Sequence, residues 1–586
     1  MKRPLITVAA VVACLASADV GCSAPLSSAT RSEVKERLRK PNALALAEAD
    51  HLLFVANESG SVSIIDTQSF KAFAEVDVGR KLSDLVSLPD GKRLLAVDQE
   101  ANELILLSHH GPALQVIQRV PVGPDPVHVR ITKDGGLACV TSRWSWQVTL
   151  LDLRPQLRVR RSIFLPFAPR EELLVAGDKR LVVADGFGGR LAVVDLGHGE
   201  VESVRSLPGH NIRGLALSSD GRQVLLAHQI LHSHAHTTFD DVHWGNLVTN
   251  NLRLLALDAV LNPKADLLQG GRLLYLGEVG NAAGDPTQLA VTRDGSVVVA
   301  LGGVGDVAIS RGDAAYQWKR VAVGRRPLAV LTGSDDRRAY VANHFSDSVS
   351  IVELGDGKLV KEIPLGPTPE LQSAERGERL FFDARLAHDG WLSCHSCHSD
   401  GHSNGLLNDN LGDGSFGAPK RVLSLLGVRD TAPYAWLGIM PDLESQVRKS
   451  ILTTMHGSKP SDQQVADLAA HLCTLTVPLS RARLLRHEGV TAIARGREVF
   501  NKQACNHCHA PPEYTSKKSY DVGLRDEVGN THFNPPSLRG MSQGGPYFHD
   551  GRAATLAEVF VRFRHQLKTD LSNQELHDLL HFLDSL

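Results

Sequence analysis

The chain has 586 residues, with 63 basic against 65 acidic side chains and a formal charge of -2. That length exceeds one compact core, and at about 150 residues per unit three or four units are expected. The even charge balance gives no reason to expect a nucleic-acid partner or attraction to an anionic membrane surface.

Met1-Lys2-Arg3 and the apolar run from Leu5 to Ala18 read as a secretory signal peptide over residues 1–22. The run is shorter than the roughly 20 residues that span a bilayer. Ala16-Ser17-Ala18 fits a small-x-small cleavage site, Val11-Val12-Ala13-Cys14 resembles a lipoprotein box, and Asp19-Val20-Gly21-Cys22 resembles one less well. Export to the periplasm is expected, or to the outer face of a membrane if Cys14 or Cys22 carries a lipid anchor. No other apolar stretch approaches spanning length, so no transmembrane span is expected.

Tight-turn aspartates recur at Asp50, Asp90, Asp134, Asp178, Asp220, Asp294 and Asp335, each followed by short apolar runs. Intervals of roughly 40 to 44 residues, with one longer gap, match a four-stranded propeller blade. An all-β, seven-bladed propeller is predicted over residues 40–367. Phe54-Val55-Ala56-Asn57 with Ser61-Val62-Ser63-Ile64-Ile65 returns as Tyr340-Val341-Ala342-Asn343 with Ser348-Val349-Ser350-Ile351-Val352. The region resembles the YVTN-type β-propellers, which implies a rigid scaffold or docking surface. An insertion at about 229–268 carries His232, His234 and His236 at alternate positions, flanked by His228 and His243. On one strand face those imidazoles could bind a transition metal; the competing expectation is a loop reaching toward the domains that follow.

Beyond Pro369 helical periodicity replaces the strand signals, and two all-α domains of the cytochrome c kind are predicted at 370–480 and 486–586. Each carries C-x-x-C-H: Cys394-His395-Ser396-Cys397-His398 and Cys505-Asn506-His507-Cys508-His509. Two thiols add across the haem vinyl groups and the adjacent imidazole coordinates iron, so Cys394, Cys397, Cys505 and Cys508 are the expected anchors of two covalent haems c, with His398 and His509 as proximal ligands. A thioredoxin-type pair would need a βαβ context, and a zinc site does not explain the histidine after each pair.

A helix is predicted ahead of each motif, Ser373 to Asp383 and Ala492 to Lys502. A closing helix with a capping box is predicted behind it, at Ser461-Asp462-Gln463-Gln464 and Ser572-Asn573-Gln574-Glu575. His398 to His509 and Ser461 to Ser572 share an offset of 111 positions. Between them Pro433-Tyr434-Ala435-Trp436-Leu437-Gly438 matches Pro546-Tyr547-Phe548-His549-Asp550-Gly551, which makes the second domain a duplicate of the first.

Two such domains with Pro546-Tyr547-Phe548-His549-Asp550-Gly551-Arg552 resemble the bacterial di-haem cytochrome c peroxidases and the MauG-type methylamine-utilisation enzymes. The resemblance implies that one haem exchanges electrons with a donor protein while the haem of the first domain meets hydrogen peroxide. It also implies a tryptophan between the haems, where Trp436 falls. Where the peroxidases carry an acidic acid-base residue this chain has Thr454-Met455-His456-Gly457. Met455 could close the first iron as a sixth ligand, or His456 could serve as distal acid-base. In the second domain His565 is the expected distal ligand, and His402 is a weaker distal candidate in the first. The family's interdomain calcium is in doubt because Val422 stands where a polar ligand is expected. Cys139 and Cys473 fall in different domains and read as separate thiols. The leading expectation is a periplasmic di-haem peroxidase-like oxidoreductase; the alternative is a non-catalytic electron-transfer or sensor cytochrome whose propeller binds a partner. A third is oxidation of a protein or organic substrate through Trp436.

Overall fold

The structure, a computed structural model, describes residues 36–47, 51–311, 317–485 and 489–586. The leader with Cys14 and Cys22, and the turn at Asp50, lie outside the described residues.

Seven four-stranded antiparallel sheets follow one another from Pro41–Ala47 to Lys358–Pro364, each completed by its own consecutive strands. Their first strands adjoin in sequence round a ring, and Pro41–Ala47 meets both the second and the seventh blade. Middle strands such as Leu52–Asn57 and Leu137–Ser142 are buried along their whole length, because each faces a neighbouring blade on both sides. That is why they read as continuous apolar runs instead of alternating ones. Fourth strands such as Arg158–Phe164 lie on the rim and are mostly exposed.

The repeated Asn and Ser residues of the first and last blades share one device. Asn57 Nδ2 donates to Ser61 and Ser63 hydroxyls, both at 2.9 Å, and Asn343 Nδ2 to Ser348 at 3.0 Å and Ser350 at 2.8 Å. The ring is tied shut by Arg39 and Lys40, whose backbone N–H groups donate to the Asp347 carboxylate at 2.7 and 2.8 Å. The Arg39 guanidinium is fully buried against Glu75 at 3.0 Å.

The fifth blade carries the insertion. Its second strand ends at Leu231 and its third begins at Val248, with the short helix Phe239–His243 between them. His232, His234 and His236 lie past the strand in turn structure, so their alternation does not put them on one strand face. His236 Nδ1 leaves the propeller to meet Asp409 Oδ2 of the first haem-motif domain at 2.7 Å, whereas His232 Nε2 stays by Thr249 Oγ1 at 3.4 Å.

The two helical domains repeat one another closely. Ser373–Phe381 packs on Asp462–Leu472, and Val490–Lys502 on Asn573–Asp584. The leading helices are slightly displaced from their predicted limits, the first ending at Phe381 and the second beginning at Val490. At each crossing a glycine lets the backbones touch: a Cβ on Gly377 would lie 1.8 Å from the Asp467 carbonyl oxygen, and one on Gly496 2.0 Å from that of Asp578. Arg376 grips Asp467 through two contacts of 2.8 Å, and Arg495 grips Asp578 at 2.6 and 2.8 Å. Both capping boxes form, Ser461 with Gln464 and Ser572 with Glu575.

His128, buried in the third blade, bridges carboxylates of its neighbours, Asp84 at 3.0 Å and Glu171 at 2.9 Å. Burial alone would lower its pKa, but Glu171 and Asp84 outweigh burial and push it up to about 9 from 6.5. A raised folded pKa stabilises fully below pH 6.5 and loses its effect as pH climbs to about 9. The unfolding free energy from urea titration is therefore expected to fall between those limits, by at most roughly 3 kcal/mol. The drop is expected to be absent in His128→Gln.

Candidate functional site

The first C-x-x-C-H loop sits on the mouth of the propeller channel. Asp400, just after the motif, accepts hydrogen bonds on Oδ2 from Arg143 at 2.8 Å, Arg170 at 2.9 Å and Arg213 at 3.0 Å. Those arginines come from the third, fourth and fifth blades. Burial would raise the Asp400 pKa, but the three guanidiniums hold it well below the usual carboxylate range.

Ser393, just before the first cysteine, and the two residues between the cysteines make further contacts. Ser396 Oγ donates to Asp285 Oδ1 at 2.6 Å and Ser393 Oγ to the other oxygen of the same carboxylate. The Ser396 carbonyl accepts from His210 Nε2 at 2.8 Å. His395 is buried against Phe382, with its Nδ1 accepting from the Asp400 N–H at 3.0 Å. In the second motif the equivalent Asn506 and His507 are exposed. Two copies of one attachment sequence thus differ in surroundings: one edge is covered by the propeller and the other meets solvent.

Each motif opens on a cavity of the size that holds a cofactor, roughly 300–1,000 Å³. The first, about 350 Å³, is lined by Cys394, Cys397, His398, Trp436 and Met455 among others; the second, about 520 Å³, by Cys505, Cys508, His509, Trp436 and His565. His398 Nδ1 donates to the Leu423 carbonyl at 2.9 Å and His509 Nδ1 to that of Tyr514 at 3.0 Å. Fixing Nδ1 as the donor leaves Nε2 as the lone-pair nitrogen, the tautomer a metal ligand requires. Burial also holds His398 neutral, with its pKa lowered to about 4. His565 is likewise lowered to about 4, by burial and then by His509 in the same cavity. The four motif cysteines are free thiols, and burial raises all four, Cys394 and Cys397 to about 12. The residues present therefore fit a haem in each cavity.

Trp436 lines both cavities. Its Nε1 donates to the Arg421 carbonyl at 2.7 Å, its own carbonyl accepts from the Asn534 N–H at 2.7 Å, and the Arg421 N–H donates to the His549 carbonyl at 2.6 Å. The two backbone bonds stitch the domains together across the wall between the cavities, while the indole bond fixes Trp436 to Arg421 of its own domain. The duplication extends to the backbone here, with left-handed φ at both Ala435 (67°) and Phe548 (69°), directly before Trp436 and its counterpart His549.

Met455 is buried and lines the first cavity just after a π-helical turn, Ser450–Thr454; such turns often mark functional positions. His456 is not among the side chains lining that cavity. Its backbone turns to a φ of 49°, and its Nε2 meets the Thr237 carbonyl of the propeller insertion at 2.9 Å. His402 does line the cavity, but its Nδ1 is hydrogen-bonded to Ser424 Oγ at 2.9 Å and its ring packs on Phe187 of the propeller at 4.8 Å. His565 lies beyond the end of its helix, Leu556–Val561. Val422 is buried with its carbonyl accepting from Ser403 Oγ at 2.6 Å, and the nearby Asp526 is matched by Lys420 at 2.9 Å. Cys139 and Cys473 are separate free thiols.

Sequence reasoning missed Gln446. It lines the first cavity one turn before Ser450, to whose Oγ its Nε2 donates at 3.0 Å, and its buried Oε1 has no partner among the described residues. No asparagine or glutamine spacing signals this; only the cavity does. No Asp or Glu lines that cavity among the described residues.

A seven-bladed propeller bearing two fused c-type haem-attachment domains is the class that this fold and site define. Residues 372–474 match the family model described as di-haem cytochrome c peroxidase. The chain is 28% identical over 280 residues to the methylamine utilization protein MauG of Methylorubrum extorquens, covering 37% of this chain and 78% of that protein. It is 25% identical over 314 residues to the cytochrome c551 peroxidase of Nitrosomonas europaea, covering 43% of this chain and 92% of that protein. A chain of the hydrazine synthase structure from Kuenenia stuttgartiensis aligns over 56% of this chain and 99% of its own length, at 21% identity and a TM-score of 0.47. The helical region is similar to the di-haem cytochrome c peroxidase and MauG proteins, a similarity that supports a peroxidase-like di-haem oxidoreductase.

Removing the Asp400 carboxylate would take away the counter-charge that three buried guanidiniums share: Arg143 would keep Asp125 at 2.9 Å and Arg170 would keep Glu171 at 3.8 Å, while Arg213 would lose its ion pair. Asp400→Ala is expected to cost roughly 3–5 kcal/mol, the usual penalty for breaking a buried ion cluster. Denaturant titration, with limited proteolysis between the propeller and the first helical domain, would read the loss.

Proposed function

We propose that this is an exported enzyme in which electrons from a donor protein enter at the Cys505–His509 haem and are used on a small oxidant, hydrogen peroxide or a related molecule, at the Cys394–His398 haem. The observation that carries this direction is the asymmetry of the two attachment loops. Asn506 and His507 are open to solvent, where a redox partner can approach, while His395 and Ser396 are sealed against the propeller. Export rests on the leader reading and on C-x-x-C-H chemistry; among the described residues no helix is long and apolar enough to cross a membrane.

When bound, each haem supplies one-electron redox chemistry at iron. In this reading Cys394 and Cys397, and Cys505 and Cys508, would anchor the two groups, His398 and His509 would each offer Nε2 to iron, and His565 would be a second nitrogen donor at the second site. Met455 would offer a displaceable thioether at the first, and the unpartnered Gln446 Oε1 would accept a hydrogen bond from an O–H of the incoming oxidant. Trp436, shared by both cavity walls, is the route between them and could equally carry an oxidation outward to an organic substrate. The propeller shields the first site.

The second reading, an electron carrier or sensor with both irons six-coordinate, is favoured by Met455 in a cavity without carboxylates. Absorption and paramagnetic resonance spectra of ferric and half-reduced protein separate the two. A high-spin first haem after half-reduction, with peroxide consumed, is expected; spectra that stay low-spin with no peroxide reaction sink the enzyme reading. In Met455→Ala the thioether-to-iron charge-transfer band is expected to vanish, whereas His456→Ala should retain it.

Haem content gives a separate check. A pyridine haemochrome assay is expected to show two haems per chain, from the two motifs, and one in the Cys394→Ala/Cys397→Ala double variant.

A further inference from the structure

His243, at the end of the short insertion helix, faces His388 and Asp389 of the loop ahead of the first attachment motif. His243 Nδ1 lies 2.9 Å from His388 Nε2, and Asp389 Oδ2 lies 3.4 Å from the first and 3.5 Å from the second. The carboxylate is thus beyond ordinary hydrogen-bond length from both rings, for which about 2.7–3.2 Å is typical. The two imidazole nitrogens are within hydrogen-bond distance of each other and Asp389 Oδ2 accepts from the Gly280 N–H in a long contact of 3.3 Å, so three donor atoms converge with the carboxylate only weakly held by its neighbours. Their separations match one face of a metal polyhedron: bonds near 2.0–2.1 Å give donor–donor edges of about 3.3 Å in a tetrahedron and about 3.0 Å in an octahedron. Among the described residues this is the group of three His, Cys, Asp or Glu donors that could hold an ion.

The donors are held in place from both sides. Phe239 stacks on His243 at 5.7 Å and touches His388 at 4.7 Å. The His388 N–H donates to the Met455 carbonyl at 3.0 Å, the Gly284 N–H to the Gly390 carbonyl at 3.1 Å, and Trp391 Nε1 to the His243 carbonyl at 3.2 Å. Asp389 takes a left-handed φ of 56°, and Gly390 follows at 82°.

We infer that His243, His388 and Asp389 form a binding site for a first-row divalent cation of the zinc type, clamping the propeller insertion to the first haem domain. Two imidazoles and one carboxylate suit such ions better than calcium or magnesium, which take oxygen donors. Side-chain exposures of 30%, 26% and 22% leave the remaining coordination position to water. The strand-face site expected from His232, His234 and His236 is thereby replaced by one that needs His243 from the insertion and a partner loop distant in sequence. The inference does not depend on either reading of the haem chemistry.

The test uses the full-length di-haem protein, stripped with a chelator, re-equilibrated with zinc chloride and dialysed. Zinc is counted by mass spectrometry and its affinity by calorimetry. An exposed histidine pair, His577 and His581, lies 3.1 Å apart on the closing helix and could hold zinc adventitiously, so every measurement is made in a His577→Ala background. One zinc per chain is expected. His243→Ala and His388→Ala are each expected to weaken it by more than about 100-fold, beyond the roughly 10–100-fold that losing an outer-shell partner costs. Asp389→Asn should weaken it in the same direction, and unchanged haem spectra would show that the variants are folded. No retained zinc in the His577→Ala background, or zinc affinity unchanged in both His243→Ala and His388→Ala, would overturn the site.

Discussion

Three guanidiniums from three consecutive blades converge on one carboxylate, and much of the molecule's arrangement depends on that contact. Arg143, Arg170 and Arg213 would repel one another at the channel mouth without Asp400. Asp400 in turn is a costly buried charge without them. The carboxylate follows His398 by two residues, so meeting it seats the first haem-attachment loop on the propeller axis. Ser396, His395 and Asp285 then complete a hydrogen-bonded polar seam.

That seat breaks the symmetry of a duplicated domain. The glycine crossings, the arginine–aspartate grips and the capping boxes recur in both copies. The copies differ where they meet something else. The first has its attachment edge under the propeller and Met455 and Gln446 in its cavity; the second has an open edge and His565. The first attachment loop is buried against the propeller and the second is open, and the proposed division between chemistry and electron entry rests on that difference, because an electron donor needs access.

The propeller and both haem domains were legible in the chain because their signals are local. Blade strands announce themselves by β-branched runs at a regular period, and a C-x-x-C-H motif contains its own chemistry. The distal residues were less legible, since helical periodicity does not say which of two adjacent residues turns inward. Met455 enters the cavity and His456 leaves it through one left-handed φ after a π turn. The alternate histidines at 232, 234 and 236 lie beyond a strand end and share no strand face, whereas the other expectation, a loop reaching toward the following domains, is met where His236 contacts Asp409.

By itself the sequence determined how many units there are, which strands and helices build them, and which cysteines and histidines can hold haem. Those properties depend on residues near one another along the chain. Tertiary structure alone decided that Trp436 is shared by two cavity walls, that Gln446 has an unpaired oxygen in the first, that one attachment loop is sealed and the other open, and that His243 finds His388 and Asp389. Apart from Gln446, each of these joins groups from separate units, and which groups meet is set by the docking of surfaces, here helped by one buried carboxylate and the three arginines around it.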